Sequence, residues 1–322
     1  MPVLSSAFDP DAAEVILEPD ADGPGSWVGA PSVRRGPDGA VLLTYRRRRP
    51  RGHPGGDRGY VSCIAASDDG LRFTDVARLS KDALGTTSIE RTALVPDPGR
   101  AGGWIWLVSY VDPADGRWRV DALRAATLEA LPSGERTAVF TADAVDGEGV
   151  KDPVPVRAGG RIWLLLSCAG HPSRAADQGR LHGTHDVYNT GLAPCFTGIA
   201  SSADGTDWNW HGPCLLPGSG WDRYQARIGA VVPVGPGWLG LYDGSASVEE
   251  NYEERLGLAW SPDLLRWRSL TPEAPAVVSA GRTGSVRYAD VLPTTDGLSV
   301  YFECARGDGS HDLRRARMHW KP

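Results

Sequence analysis

The chain has 322 residues, among them 40 glycines and 25 prolines, and a formal net charge of −6. An acidic balance gives no case for a nucleic-acid partner, and no stretch approaches the roughly 20 apolar residues of a membrane span. The start, Met1 to Asp9, has neither the basic nor the apolar part of a signal peptide, so the expectation is a soluble, cytoplasmic protein.

In chain order, residues 1–26 hold one strand-like run, Glu14 to Glu18, between acidic, proline-containing stretches. A first unit follows, with apolar runs at Val28 to Val33, Val41 to Tyr45, Gly59 to Ala66 and Phe73 to Leu79. The second has Glu90 to Val95, Trp104 to Val108, Arg117 to Leu123 and Thr137 to Phe140. The third opens with Gly149-Val150-Lys151-Asp152-Pro153-Val154 and turns through Gly159-Gly160 into Ile162 to Ser167. Arg227 to Val232 with Trp238 to Tyr242, then Arg287 to Leu292 with Leu298 to Phe302, begin two more copies. Aligning Gly29, Arg91, Ile228 and Tyr288 with Asp152 gives a period of about 60 residues, which indicates repeated supersecondary units.

Turns punctuate the copies. Ser67-Asp68-Asp69-Gly70, Ser202-Ala203-Asp204-Gly205 and Ser261-Pro262-Asp263 each precede an aromatic, Phe73, Trp208 or Trp267. The Asp accepts backbone N–H groups, the Gly takes a positive φ, and the aromatic fills the next gap. The fifth copy has three strands and one is spare near residue 14, which predicts an all-β, five-bladed β-propeller closed by its N-terminal strand. The expected blades are 27–80, 88–140, 150–216, 225–279 and 285–322 plus 14–18, in one domain.

The third spacing carries about 15 extra residues, placed at 169–194 with His171, His182 and His185. An insertion on a propeller rim shapes a pocket or a subunit contact. His182 and His185 lack a carboxylate or third histidine at ligand spacing, so no metal and no cofactor is expected. Cys63, Cys168, Cys195, Cys214 and Cys304 form no C-x-x-C pair and read as buried small residues.

In a propeller the first strand of each blade lines a central channel. Trp27, Glu90, Arg91, Lys151, Asp152, Arg227, Arg287, Tyr288 and Asp290 then converge, joined from the second strands and their loops by Arg46, Asp243 and Glu303. Crowding such charges is costly unless they pair with one another or with a ligand. Mixed charges beside aromatic faces suit a polyhydroxylated ligand, whereas the acidic run at 249–254 reads as a solvated turn.

At these residues the sequence resembles the five-bladed β-propeller glycoside hydrolases, the group of arabinanases and xylosidases, invertase-like fructosidases and mannoside phosphorylases. Lys151-Asp152-Pro153 is similar to an Arg-Asp-Pro element that supplies a sugar-binding carboxylate there. Tyr45-Arg46 and Ile89-Glu90-Arg91 are similar to phosphorylase segments that bind sugar and phosphate, with Arg91 where an aspartate would stand. Gly29 and Ala30 offer no carboxylate where arabinanase-type members carry their base, and Arg227 replaces their acid.

The resemblance implies a small carbohydrate substrate. Glycoside cleavage needs two carboxyl groups, roughly 6.5–9.5 Å apart for inversion or 5–5.5 Å for retention. Glu90 and Asp152 are the first candidates, with Asp290 and Glu303 in reserve; Trp27, Arg46, Arg91, Lys151, Arg227, Asp243, Arg287 and Tyr288 would bind substrate. The neighbouring cations would lower the acids' pKa values, which suits a base, and point to a substrate with a carboxylate or phosphate, or to phosphate as the attacking group. Three functions stay open: a glycosidase, a phosphate-dependent phosphorylase or transferase, and a carbohydrate-binding propeller without catalysis.

Overall fold

The computed structural model describes residues 3–4, 8–172, 178–281 and 283–321. Almost all of its regular structure is β. After β1 (Val3–Leu4) and β2 (Glu14–Leu17) come β3 (Trp27–Arg35), β4 (Val41–Arg49), β5 (Arg58–Ser67) and β6 (Thr74–Ser80), then a one-turn helix α1 (Lys81–Leu84). The second repeat has β7 (Ile89–Pro96), β8 (Trp104–Val111), β9 (Trp118–Ala125) and β10 (Glu135–Phe140). The third has β11 (Gly149–Ala158), β12 (Arg161–Ala169), the short helix α2 (Gln178–Leu181), β13 (Cys195–Ser202) and β14 (Trp208–Leu215). The fourth has β15 (Gln225–Val234), β16 (Gly237–Ser245), β17 (Arg255–Ser261) and β18 (Arg268–Ser269), and the fifth β19 (Val286–Pro293), β20 (Gly297–Ala305) and β21 (His311–Lys321).

Within each repeat consecutive strands pair antiparallel. Strand pairing divides them into a nine-stranded, a four-stranded and an eight-stranded sheet. In the two larger sheets neighbouring repeats are joined by one parallel residue pair each, His311 with Trp27 and Cys195 with Gln225. The spare N-terminal strand lies antiparallel on β21, with Glu14 opposite Arg315 and Leu17 opposite Leu313. That pairing covers an edge which would otherwise present open N–H and C=O groups.

Apolar clusters fill the spaces between repeats. Leu94, Trp106, Val108 and Leu123 pack with Leu42 and Ile64, and Leu241 and Val232 with Val291 and Val300. The turns behave as their sequence dictates. The Asp69 carboxylate accepts from the Leu71 and Arg72 N–H groups at 2.9 Å, and Asp204 and Asp263 repeat the pattern. Their aromatics reach across repeats: Phe73 meets Tyr301 edge-on, and the Tyr301 hydroxyl donates to the Gly70 carbonyl. All five cysteines are buried and free, and no helix among the described residues is long and apolar enough to cross a membrane.

Candidate functional site

The site begins with a defect repeated in the first strand of each repeat. In β3, β7, β11 and β19 two residues face one on the partner strand: Ala30-Pro31, Glu90-Arg91, Asp152-Pro153 and Tyr288-Ala289. In β15 the ladder slips at Gly229. A bulge re-aims a side chain that a regular strand would point elsewhere. It also corrects the repeat alignment, because Ala30, Glu90 and Gly229, rather than Gly29, Arg91 and Ile228, share the place of Asp152. A slip of one residue exchanges the two faces of a strand, so Glu90, not Arg91, is the counterpart of Asp152.

Side chains of the preceding repeat hold these bulges. The Asp152 N–H donates to Ser109 Oγ at 2.8 Å, the Tyr288 N–H to Asp243 at 2.9 Å and the Ala30 N–H to Glu303 Oε2 at 3.2 Å. Asp152 and Tyr288 have left-handed φ values of 56° and 52°. Gly29 is explained by the same contact: a Cβ there would lie 2.2 Å from Glu303 Oε2. The carboxylate absent from the first repeat is thus replaced in space by one from the fifth.

Around the bulges runs a continuous chain of buried ion pairs. Arg46 Nε donates to Glu90 at 2.9 Å and its Nη2 lies 3.2 Å from Glu303. Arg287 bridges Glu303 at 2.6 Å and Glu254 at 2.9 Å. Glu254 then meets Arg227 at 2.8 Å, and Arg227 lies 3.5 Å from Asp243 and 3.9 Å from Asp152. Lys151 Nζ stands 3.6 Å from Asp152. Tyr288 sits among them, with Arg287, Arg227 and Arg46 at 5.1, 5.2 and 5.8 Å from its ring centre. Trp27 stacks on His311, whose ring nitrogens face Glu303 and Glu253.

These surroundings separate the acids. Burial raises the Glu90 carboxyl, but Arg46, Lys151 and Arg48 outweigh it and hold it down at about 2. Glu254 is held at about 2 against burial by Arg227 and Arg287, and Glu303 is kept well below the usual carboxylate range by Arg287 and Arg46. Asp243 goes the other way: burial, with Glu254 adding and Arg227 opposing, pushes it up to about 7. Arg46, Arg48, Arg58, Lys151, Arg227 and Arg287 are all buried around Glu90, Asp152, Asp186, Asp243, Glu254 and Glu303.

The insertion reaches this network. Its Asp186 is buried, accepts from Trp118 Nε1 at 3.3 Å and from the Tyr252 hydroxyl, and lies 3.5 Å from both Arg51 and Arg58. One side chain thus ties loops of the first, second and fourth repeats to the third. Leu181, Val187, Tyr188 and Ala193 anchor it against Val111, Trp118 and Cys195. Glu148, distant in sequence, joins His171 at 2.8 Å and His182 at 3.0 Å, yet among the described residues no His, Cys, Asp or Glu group could hold a metal ion.

Most of the residues singled out from sequence meet here: Trp27, Arg46, Glu90, Lys151, Asp152, Arg227, Asp243, Arg287, Tyr288 and Glu303. Arg91 and Asp290 lie outside the chain of ion pairs, although Arg91 still acts on Asp243. They pair with each other at 3.3 Å, and Asp290 also accepts from the Val33 N–H at 2.8 Å. The acidic run at 249–254 is not a solvated turn throughout, because Glu254 is fully buried between two arginines. Asp186 and Arg58 had no sequence signal beyond their loops, since only folding brings those loops together.

No protein-family model matches the sequence, and no curated protein matches it either. Solved structures do. A glycoside hydrolase aligns with a TM-score of 0.71 at 14% identity over 96% of this chain and 92% of its own. A thermostable family-43 glycoside hydrolase aligns with a TM-score of 0.66 at 11% identity over 96% of each chain. A structure from the GH130 family of mannoside phosphorylases, which contains glycoside hydrolases that target β-1,2-mannosidic linkages in Candida mannan, aligns with a TM-score of 0.64 at 14% identity over 99% of this chain and 97% of its own. At such identities the likeness is one of all-β fold alone.

Proposed function

We propose that the chain is a five-bladed β-propeller, closed by β2 on β21, which cleaves the glycosidic bond of a small carbohydrate among the bulged inner strands. Support for the blades comes from self-contained antiparallel sets joined by single residue pairs. The observation that carries the chemistry is the split between carboxyl groups: Glu90 held at about 2 and Asp243 pushed up to about 7. Two acids whose environments drive their pKa values apart are what general acid–base cleavage requires. In this reading Glu90 is the base, Asp243 the proton donor, and Asp152 the ligand for a sugar hydroxyl.

The test uses aryl glycosides with good and poor leaving groups, with and without inorganic phosphate. Glu90→Gln should abolish turnover of both. Asp243→Asn should cost roughly 100-fold on the poor leaving group, within the range for general acid catalysis, and little on the good one. Equal losses for Asp243→Asn on both substrates would remove it as the donor, and wild-type protein that turns over neither sinks the enzymatic reading. Phosphate-dependent turnover would select the phosphorylase, a reading favoured by the buried Arg48, Arg58 and Lys151.

A further inference from the structure

Three cations on the insertion side of the site have no carboxylate closer than 3.5 Å, whereas Arg46, Arg227 and Arg287 each contact one within 2.9 Å. Lys151, Arg48 and Arg58 are each at most 5% exposed. Among the described residues Lys151 Nζ makes no hydrogen bond and stands 3.6 Å from Asp152, while Arg48 has only a 3.8 Å approach to Glu90 and an unpartnered, buried Nε. Arg58 donates to the His185 carbonyl at 3.0 Å, lies 3.5 Å from Asp186 and leaves its own Nε without a partner. Burying such donors unsatisfied is costly.

Aromatic rings fix where these cations stand. Arg48 lies 4.4 Å from the ring centres of both Trp27 and Tyr252. Lys151 lies 4.5 Å from that of Tyr188 and 5.0 Å from that of Trp118, which Arg58 also approaches at 5.5 Å. Rings attract cations but do not neutralise them. Lys151 and Arg48 both act on Glu90, and with Arg58 both act on Asp186, so the three stand between the bulge of the second repeat and the insertion.

We propose that Lys151, Arg48 and Arg58 form an oxyanion site that takes an anionic group carried by the glycoside, a carboxylate or a phosphate ester. The assignment rests on the glycosidase reading for its location and adds the substrate class. Three buried cationic donors suit an oxyanion better than hydroxyls, because charge-assisted bonds are the stronger ones. Contact with the rings of both Trp27 and Tyr252 leaves the Arg48 guanidinium less entropy to lose when it binds.

The experiment is calorimetric titration of the full chain with three matched methyl glycosides: a neutral hexoside, its uronate and its 6-phosphate. Inorganic phosphate forms a fourth arm. One charged glycoside should bind roughly 10- to 100-fold more tightly than the neutral one, the weight of one or two charge-assisted hydrogen bonds. Which one it is identifies the source of the oxyanion. Lys151→Met and Arg48→Gln should each erase most of that ratio, while Arg72→Gln, on an exposed turn, leaves it intact. Neutral and charged glycosides binding alike would overturn the proposal, as would inorganic phosphate binding while the charged glycosides show no preference. The wild-type ratio needs no variant to fold. Charged glycosides that bind tightly but are not cleaved would sink the glycosidase reading alone.

Discussion

Glu254→Gln removes one charge from the middle of the ion-pair chain while keeping the side chain's shape. Glu254 is fully buried, contacts Arg227 at 2.8 Å and Arg287 at 2.9 Å, and accepts from Gln225 Nε2 at 2.7 Å. Its carboxyl is held at about 2 rather than 4.5. A depression of that size corresponds to on the order of 3 kcal/mol, and breaking a buried pair costs roughly 3–5 kcal/mol. Unfolding entropy of about 2.1 cal/mol/K per residue over 322 residues makes each kcal/mol worth about 1.5 °C. The variant should therefore melt about 4 to 7 °C lower at pH 7 by calorimetry. Because the folded pKa is depressed, Glu254 contributes its full stabilisation above pH 4.5 and loses it as pH falls toward about 2. The gap between wild type and variant should close over that range. A shift below 1 °C at pH 7, or a gap that stays constant down to pH 2.5, would refute the coupling of the two arginines through this acid.

The other predictions address the insertion and the N-terminal strand. Asp186→Ala leaves Arg58 and the Tyr252 hydroxyl without their shared acceptor, so it should cost roughly 2–4 kcal/mol and speed amide exchange at residues 182–190. Unchanged exchange there would show that the apolar anchor alone holds the insertion. Deleting residues 8–18 removes the buried Phe8 from Phe302, strips the partly buried Ile16 and Leu17 from the cluster around Leu313 and opens the β21 edge. A loss of about 3–6 kcal/mol from those three side chains should lower the melting temperature by roughly 4 to 9 °C and promote association seen by light scattering. A monomeric deletion variant with wild-type melting would show that β2 closes nothing.

The sequence by itself determined the repeat, the turns and the spare strand. Each depends on residues close together: an Asp two positions before the N–H it accepts from, an apolar run of strand length, a glycine at a positive φ. It also picked out most of the residues that meet in the ion-pair network, because they sit at matching positions in the first two strands of successive repeats. The register of the bulges was beyond it. Whether Glu90 or Arg91 matches Asp152 depends on which backbone N–H groups Ser109, Asp243 and Glu303 hold across repeats, and those contacts span 43 residues or more. Tertiary structure alone decided that Glu254 is buried, that Glu303 fills the space beside Gly29, that Asp186 crosses to three other repeats, and that Arg91 with Asp290 stands apart. A charge's role is set by the dielectric and the partners around it, and both are properties of the packed molecule rather than of its neighbours along the chain.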